Sequence, residues 1–487
     1  MLRNVASARG GGREYVDATE RFGGADTGAG MGALFFDADG DRDLDLYVAN
    51  YGADVLYEER LGATKDGETL LHDVSAAAGV GGDLWSAGIC AGDADNDGDL
   101  DLYVTSYLEY DEENMPPMED LPYRREDPVA MLPYAFRGQR NTYLRNESTA
   151  EGLRFVDATE EAGVADETGL SMQAVFIDFD RDGDLDLYVA NDVSPNVLYR
   201  GNGDGTFRDV SFQTGMDDPR GGMGVALGDV DLDGDEDLFL TNWQLESNAL
   251  YTANLVARRS QKHRVATFRD SVVESGLAPY GVGVTSWGAV FGDLDCDGDL
   301  DLYVANGYTS PDYESTGICV AQPDHLFLGD GTGRFEASFA SIPAARDVGP
   351  PDLSSRCVLA CDYDRDGDED LFVTANNGPY RLLRNDAERK GRFLGVRLAC
   401  AAPNTHGIGA RVEVRTERRT FTRTLLAGTS YLGGNPPELH FGLGACEKVL
   451  GVTVHLPSGG ATLEFGEQPL DAWVTLDTTA GTSARAK

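Results

Sequence analysis

Aspartate recurs at every second position in six short stretches of this 487-residue chain, and that spacing suits a hard-cation site. The first stretch runs Asp37-Ala-Asp-Gly-Asp-Arg-Asp-Leu-Asp. The others begin at Asp93, Asp178, Asp229, Asp293 and Asp362, and each repeats aspartate at positions 1, 3, 5, 7 and 9. Five carboxylates within nine residues repel one another unless a cation sits among them. Alternating oxygen ligands suit Ca²⁺, which accepts six to eight oxygens in flexible geometry. Glycine at position 6 in five of the loops permits the sharp turn that folds a loop around an ion. By analogy with other such loops, side chains at positions 1, 3, 5 and 9 coordinate, together with the carbonyl at position 7. The expected ligands are Asp37, Asp39, Asp41 and Asp45; Asp93, Asp95, Asp97 and Asp101; Asp178, Asp180, Asp182 and Asp186. Asp229, Asp231, Asp233 and Asp237, then Asp293, Asp295, Asp297 and Asp301, then Asp362, Asp364, Asp366 and Asp370 complete sites for up to six Ca²⁺.

Any one of these loops could be an acidic turn without an ion, but six copies in one register argue against that reading. An EF-hand needs a bidentate glutamate at position 12 and flanking helices. Position 12 here is Val48, Val104, Val189, Leu240, Val304 and Val373, all apolar and inside strand-like runs. Loop 1 departs from the rest, with Arg42 at position 6. A non-glycine residue in the left-handed region costs about 1–2 kcal/mol, and arginine adds a cation, so loop 1 is expected to be the weakest site.

The elements that must hold the loops repeat with them. A small-residue apolar run precedes each loop, as in Gly222-Met-Gly-Val-Ala-Leu-Gly, and a run such as Leu46-Tyr-Val-Ala-Asn follows. Glycine turns and further strand-like runs complete each unit, as in Gly203-Asp-Gly-Thr-Phe. First aspartates 51 to 85 residues apart fit one four-stranded propeller blade per repeat, with insertions. The expected fold is all-β: a β-propeller of seven blades, six bearing the loops, with six blades as the alternative. Residues 1–390 are read as the propeller, with an irregular insertion at about 107–140, and 391–487 as a small separate β module.

A net charge of −43 excludes nucleic acid and anionic membranes as partners, since both need a basic surface. No apolar run is long enough for a transmembrane helix, so no membrane insertion is expected. Seven cysteines without a Cys-x-x-Cys pair make no disulfide scaffold. Cys357 and Cys361 are read as strand residues rather than zinc ligands. The start, Met1-Leu-Arg-Asn-Val-Ala-Ser, lacks the apolar core of a signal peptide, which by itself favours the cytoplasm.

The repeated Asp-x-Asp-x-Asp-Gly-Asp-x-Asp-Leu motif resembles the FG-GAP/VCBS repeats of integrin-type propellers over roughly residues 1–390. The C-terminal module resembles the ASPIC/UnbV domain. Its matching residues are His406-Gly-Ile-Gly-Ala-Arg-Val, Gly428-Thr-Ser-Tyr-Leu, Pro437-Glu-Leu-His-Phe-Gly-Leu-Gly and Leu456-Pro-Ser-Gly. The pairing resembles the cartilage-acidic-protein-like family, whose members are secreted or surface proteins. The resemblance therefore implies a secreted, periplasmic or cell-surface protein and a start upstream of Met1. Leu2-Arg3-Asn4 and Tyr15-Val-Asp-Ala-Thr match Leu144-Arg145-Asn146 and Phe155-Val-Asp-Ala-Thr, the outer strands of a blade. Their missing inner strands are expected either upstream or from the C-terminal segment, which would then close the ring.

No nucleophile elbow, phosphate loop or zinc-protease motif occurs, and His440 reads as a packed histidine. The expectation is a binding or scaffold protein engaging a protein, glycan or small molecule, and not an enzyme. An accessory small-molecule binder of a biosynthetic pathway and an enzyme with chemistry at the channel mouth are the alternatives. The ligand surface is expected at the mouth opposite the calcium loops. Six residues before each first aspartate stand Met31, Ala87, Met172, Met223, Trp287 and Arg356. Met31, Met172, Met223, Trp287 and Arg356 are the candidate ligand residues, with inter-blade packing as the competing role of the methionines.

Overall fold

A computed structural model describes residues 2–6, 13–17, 19–61, 69–110, 133, 136–149, 151–256, 265–312, 318–338, 353–376 and 378–479. Most of the insertion at 107–140 lies outside these residues. The architecture is an all-β propeller followed by a β module.

Each acidic loop joins the first two strands of an antiparallel unit, because β-branched and aromatic runs flank a segment whose charges cannot enter a sheet. Blade 1 is Ala29–Phe36, Asp45–Gly52, Val55–Leu61 and Thr69–Asp73, paired in sequence order. Blades 2 to 5 span 84–157, 171–209, 222–270 and 286–337 with the same four-strand order, and blade 5 carries one extra strand. Among the described residues blade 6 has three strands, Ser355–Cys361, Asp370–Ala375 and Arg381–Leu383. The innermost strands share an irregularity near their start. In all six blades the pairing register slips around the residue six before the first aspartate, as between Gly30 and Gly32 or Ser171 and Gln173. Such bulges re-aim a side chain, here toward the propeller axis.

Among the described residues, the strands from Arg392 onward pair only among themselves. One sheet orders Leu439–Gly444, Arg392–Ala399 and Ala472–Asp477; the other orders Thr420–Thr424, Arg411–Thr416, Val449–His455 and Thr462–Phe465. The C-terminal segment therefore does not supply inner strands to the N-terminal hairpin, Leu2–Ala6 with Arg13–Asp17, whose strands pair only with each other among the described residues. The module packs on the propeller instead. A single buried cluster joins Leu34, Ile89 and Leu102 of blades 1 and 2 to Val396, Val412 and Phe441 of the module.

Candidate metal loops and the domain that caps them

Within each loop two backbone positions are left-handed. Position 6 has φ of 84° at Arg42 and 93–103° at Gly98, Gly183, Gly234, Gly298 and Gly367. Position 4 is also left-handed, at Gly40, Asn96, Arg181, Leu232, Cys296 and Arg365. Loop 1 thus carries its glycine at position 4 and its strain at position 6. The Arg42 guanidinium turns away to donate to the Cys400 carbonyl at 3.3 Å.

These turns aim backbone amides at the carboxylates. The position-6 amide donates to the first aspartate in five loops, at 2.8 Å for Gly298 to Asp293 and 3.1 Å for Arg42 to Asp37. Position 9 is gripped twice in every blade. Asp101 Oδ2 accepts from the Ala94 amide at 3.1 Å and Oδ1 from the Asn146 amide at 2.8 Å. Asp45, Asp186, Asp237, Asp301 and Asp370 are held by equivalent pairs. The aspartate that ends each loop therefore fastens the blade's third strand as well as facing the loop.

Three aspartates bring ligand oxygens within 4.8 Å of one another in each of five loops. Loops 1, 2 and 5 gather positions 1, 3 and 5, whereas loops 3 and 4 gather positions 1, 3 and 9. In loop 3 the Arg200 fork is bonded to Asp180 and Asp182. Lys390 likewise reaches Asp295 and, at 3.0 Å, Asp297 in loop 5. Oδ1 of Asp93, Asp229, Asp293 and Asp362 is buried with no hydrogen-bond partner in the protein. A buried, unpartnered carboxylate oxygen is costly, and a cation is the partner that four such oxygens in the same loop position fit. Burial drives the titrations: Asp45 and Asp101 are pushed up to about 7 and Asp370 to about 8. Burial followed by the Asp41 charge lifts Asp39 to about 6. The Asp-rich groups can hold metal ions.

The C-terminal module covers this face. Thr405 donates to Asp37 and Ser458 to Asp93, while the Trp473 indole donates to Asp362 Oδ2 at 2.8 Å. Arg419 reaches Asp299 at 2.7 Å, and the Gly459 amide reaches the Gly183 carbonyl at 3.1 Å. Two acidic residues outside the odd-numbered ligand positions belong to this contact. Position 8 is leucine in four loops but Glu236 and Glu369 in two. Thr424 donates to Glu236 at 2.6 Å, and Glu369 Oε2 lies 3.6 Å from His440 Nδ1. That break in an otherwise leucine position was the available sequence signal. His440 is buried, stacked on Phe393 at 5.5 Å, and burial pushes its imidazole down to about 4.

Comparison with known proteins matches the FG-GAP-like repeat family to residues 37–104 and 140–240, and the ASPIC and UnbV family to residues 401–483. This chain carries FG-GAP-like repeats and an ASPIC and UnbV domain. It is similar to cartilage acidic protein 1 of Homo sapiens, 25% identical over 455 residues covering 89% of this chain and 60% of that protein. The Mus musculus protein is 24% identical, over 89% of this chain and 62% of its own length. The chain thus spans about three fifths of these relatives. A solved Agrocybe aegerita lectin recognising non-reducing terminal N-acetylglucosamine is 15% identical with a TM-score of 0.40, covering 77% of this chain and 86% of that one.

The ASPIC and UnbV domain also reaches the propeller axis. Its segment 427–435 touches the innermost strand of each of the six described blades. The Ala33 amide donates to the Leu432 carbonyl at 3.3 Å, Ala91 to Ala427 at 2.9 Å and Val225 to Ser430 at 2.8 Å. Gln173 Oε1 accepts the Leu432 amide at 2.8 Å, and the Val358 and Ala360 amides donate to Ser430 Oγ and Asn435 Oδ1. Met172, Met223 and Trp287 do converge, but Tyr431 of the same segment stands among them and all four are buried. The Arg356 guanidinium lies 4.1 Å over the Trp287 ring and is bonded to Ser354, Ser355 and Tyr308. Met31 is half-buried, next to Gly32, whose α-carbon faces the Leu432 carbonyl. The place expected for a ligand among these side chains is taken by the chain itself.

Proposed function

We propose that this protein is a calcium-dependent binding or scaffold protein that works outside the cytoplasm and is not an enzyme. The observation that carries the reading is the repeated set of buried, unpartnered Oδ1 atoms on the first loop aspartates. Oxygen-only donor sets with several carboxylates favour Ca²⁺ over softer or smaller ions. Asp37, Asp93, Asp178, Asp229, Asp293 and Asp362 would anchor the ions, with the other loop aspartates completing each shell. Bound Ca²⁺ neutralises clustered carboxylates and ties the first two strands of a blade together. No helix among the described residues is long and apolar enough to cross a membrane. Millimolar calcium outside cells would keep such loops loaded, and the relatives' name points to an extracellular acidic protein. The partner is a protein, a glycan or a small molecule. With Tyr431 in the axis, it would meet the blade edges or outer faces rather than the Met172–Trp287 ring. The N-terminal hairpin would be the outer half of a seventh blade.

The test is thermal unfolding of the full chain in calcium and after chelation, with elemental analysis of the bound metal. Binding to the folded state alone adds about 2.7 kcal/mol per site at one hundred times Kd, so chelation should lower Tm by many degrees. An unchanged melting curve after confirmed metal removal would overturn the reading.

A further inference from the structure

Blades 2 to 5 each bury a phenylalanine of their fourth strand against the preceding blade: Phe155, Phe207, Phe268 and Phe335. Its cross-strand partner follows one rule. Phe155 faces Asn146, Phe207 faces Gly201, Phe268 faces Ala253 and Phe335 faces Gly329. Each of those partners is the residue whose amide binds the position-9 aspartate of its blade. Each phenylalanine packs on the apolar residue after that aspartate and on one from the third strand. For Phe155 these are Leu102 and Leu144; for Phe207, Leu187 and Tyr199.

Blade 6 repeats the rule up to the missing strand. The Asn385 amide donates to Asp370 Oδ1 at 2.7 Å, and Asn385 Nδ2 donates to the Leu294 carbonyl, as Asn146 Nδ2 does to that of Ala38. Leu371 and Leu383 stand where Leu102 and Leu144 stand in blade 2. Opposite them no strand pairs with Arg381–Leu383 among the described residues. A cavity of about 250 Å³ lies there instead, walled by Leu294, Leu326, Leu328, Leu371 and Leu383. Its rim carries Asp295, Asp386 and Glu388 against Lys390, which is already paired with Asp295 and Asp297.

We propose that this cavity takes the aromatic side chain of an extended segment of a partner protein, which pairs as the fourth strand along Arg381–Leu383. An open sheet edge offers backbone hydrogen bonds, and a pocket beside it selects the side chain. The chemistry of the occupant is written in blades 2 to 5, an aromatic residue in an extended run; blade 1 carries Leu71 at the same place, opposite Glu59. On the rim Asp295 is paired with Lys390 and Asp386 with Arg384, so the site selects for the aromatic side chain rather than for charge. The site rests on the binding-protein reading for its use; because Leu294 and Asp295 belong to loop 5 and Asn385 is held by Asp370, its shape is tested with calcium held constant.

A fluorescent peptide with the sequence of residues 204–211, Asp-Gly-Thr-Phe-Arg-Asp-Val-Ser, is the probe, added to the full chain at constant saturating calcium. Saturable binding is expected, with amide exchange slowed at Arg381–Leu383. The peptide with Phe207→Ala should bind about tenfold more weakly or worse, as should the chain variant Leu328→Trp, which fills the cavity. Equal binding by both peptides, no saturable binding, or binding without protection of Arg381–Leu383 would overturn the proposal. A chain that dimerises alone and is dissociated by the peptide would overturn the partner assignment in favour of a second copy. Because calcium is held constant, failure here leaves the metal dependence standing.

Discussion

The Tyr431 hydroxyl donates to the sulfur of Met172 at 3.9 Å, across 259 positions of sequence, and the Tyr431 ring meets Trp287 edge-on at 4.9 Å. One side chain of the ASPIC and UnbV domain therefore sits at the hub of the propeller. Truncating a buried aromatic costs about 3–5 kcal/mol. Tyr431→Ala should destabilise both domains in one cooperative urea transition. Tyr431→Phe loses only a weak bond to sulfur and should stay within about 1 kcal/mol. Two separate transitions in the wild-type chain would show that the hub does not couple the domains.

The loop carboxylates set a pH dependence whose sign depends on metal. Asp45, Asp101 and Asp370 are raised from 3.8 to about 7, 7 and 8. A folded-state value above the unfolded one favours the protonated folded form. In metal-free protein that contribution is full below about pH 4 and is lost as pH rises through 7–8. Metal-free protein should melt at a higher temperature at pH 5 than at pH 8. Calcium favours the charged carboxylates, so the loaded protein should lose this trend or reverse it. Parallel melting curves in the two conditions would show that the ions do not sit on these groups.

Arg42→Gly removes a left-handed arginine from loop 1. The relief of about 1–2 kcal/mol is offset in overall stability by loss of the bond to Cys400. Calcium affinity at loop 1 should nonetheless rise, and titration calorimetry against wild type reads it directly. Weaker or equal binding would count against the assigned register.

Thr405→Val and Trp473→Phe each withdraw a donor from a buried first aspartate, Asp37 or Asp362. Each oxygen keeps its position-6 amide, so the loss is one hydrogen bond to a charged group, about 1.5–3 kcal/mol. Both variants should therefore lose more stability in chelator than in calcium, where the ion supplies the missing partner. Chemical denaturation in the two buffers gives the comparison, and equal losses would mean that the domain's donors and the metal do not share these carboxylates.

The six acidic loops were legible because every candidate ligand lies within nine residues, so spacing alone brings the carboxylates together. The same locality explains the blade strands, whose apolar runs flank the loops, and the turn at position 6. Position 4 was missed because its residues, from Gly40 to Leu232 and Arg365, share no side-chain type; only the backbone repeats. Glu236 and Glu369 were missed for a different reason. An acid beside five others looks like solvent-facing charge until a second domain is seen resting on it.

Sequence by itself thus determined the repeated strand–loop–strand unit, the oxygen-rich loops and the two-part organisation, since these depend on neighbours in the chain. Tertiary structure alone decided that Met172, Met223 and Trp287 enclose Tyr431. It alone showed that Thr405, Ser458 and Trp473 cap the loops, and that among the described residues blade 6 stops one strand short beside a leucine-walled cavity. Each of these depends on groups brought together across tens to hundreds of residues, and a periodic pattern records which face of a strand is apolar but not which distant segment will cover it.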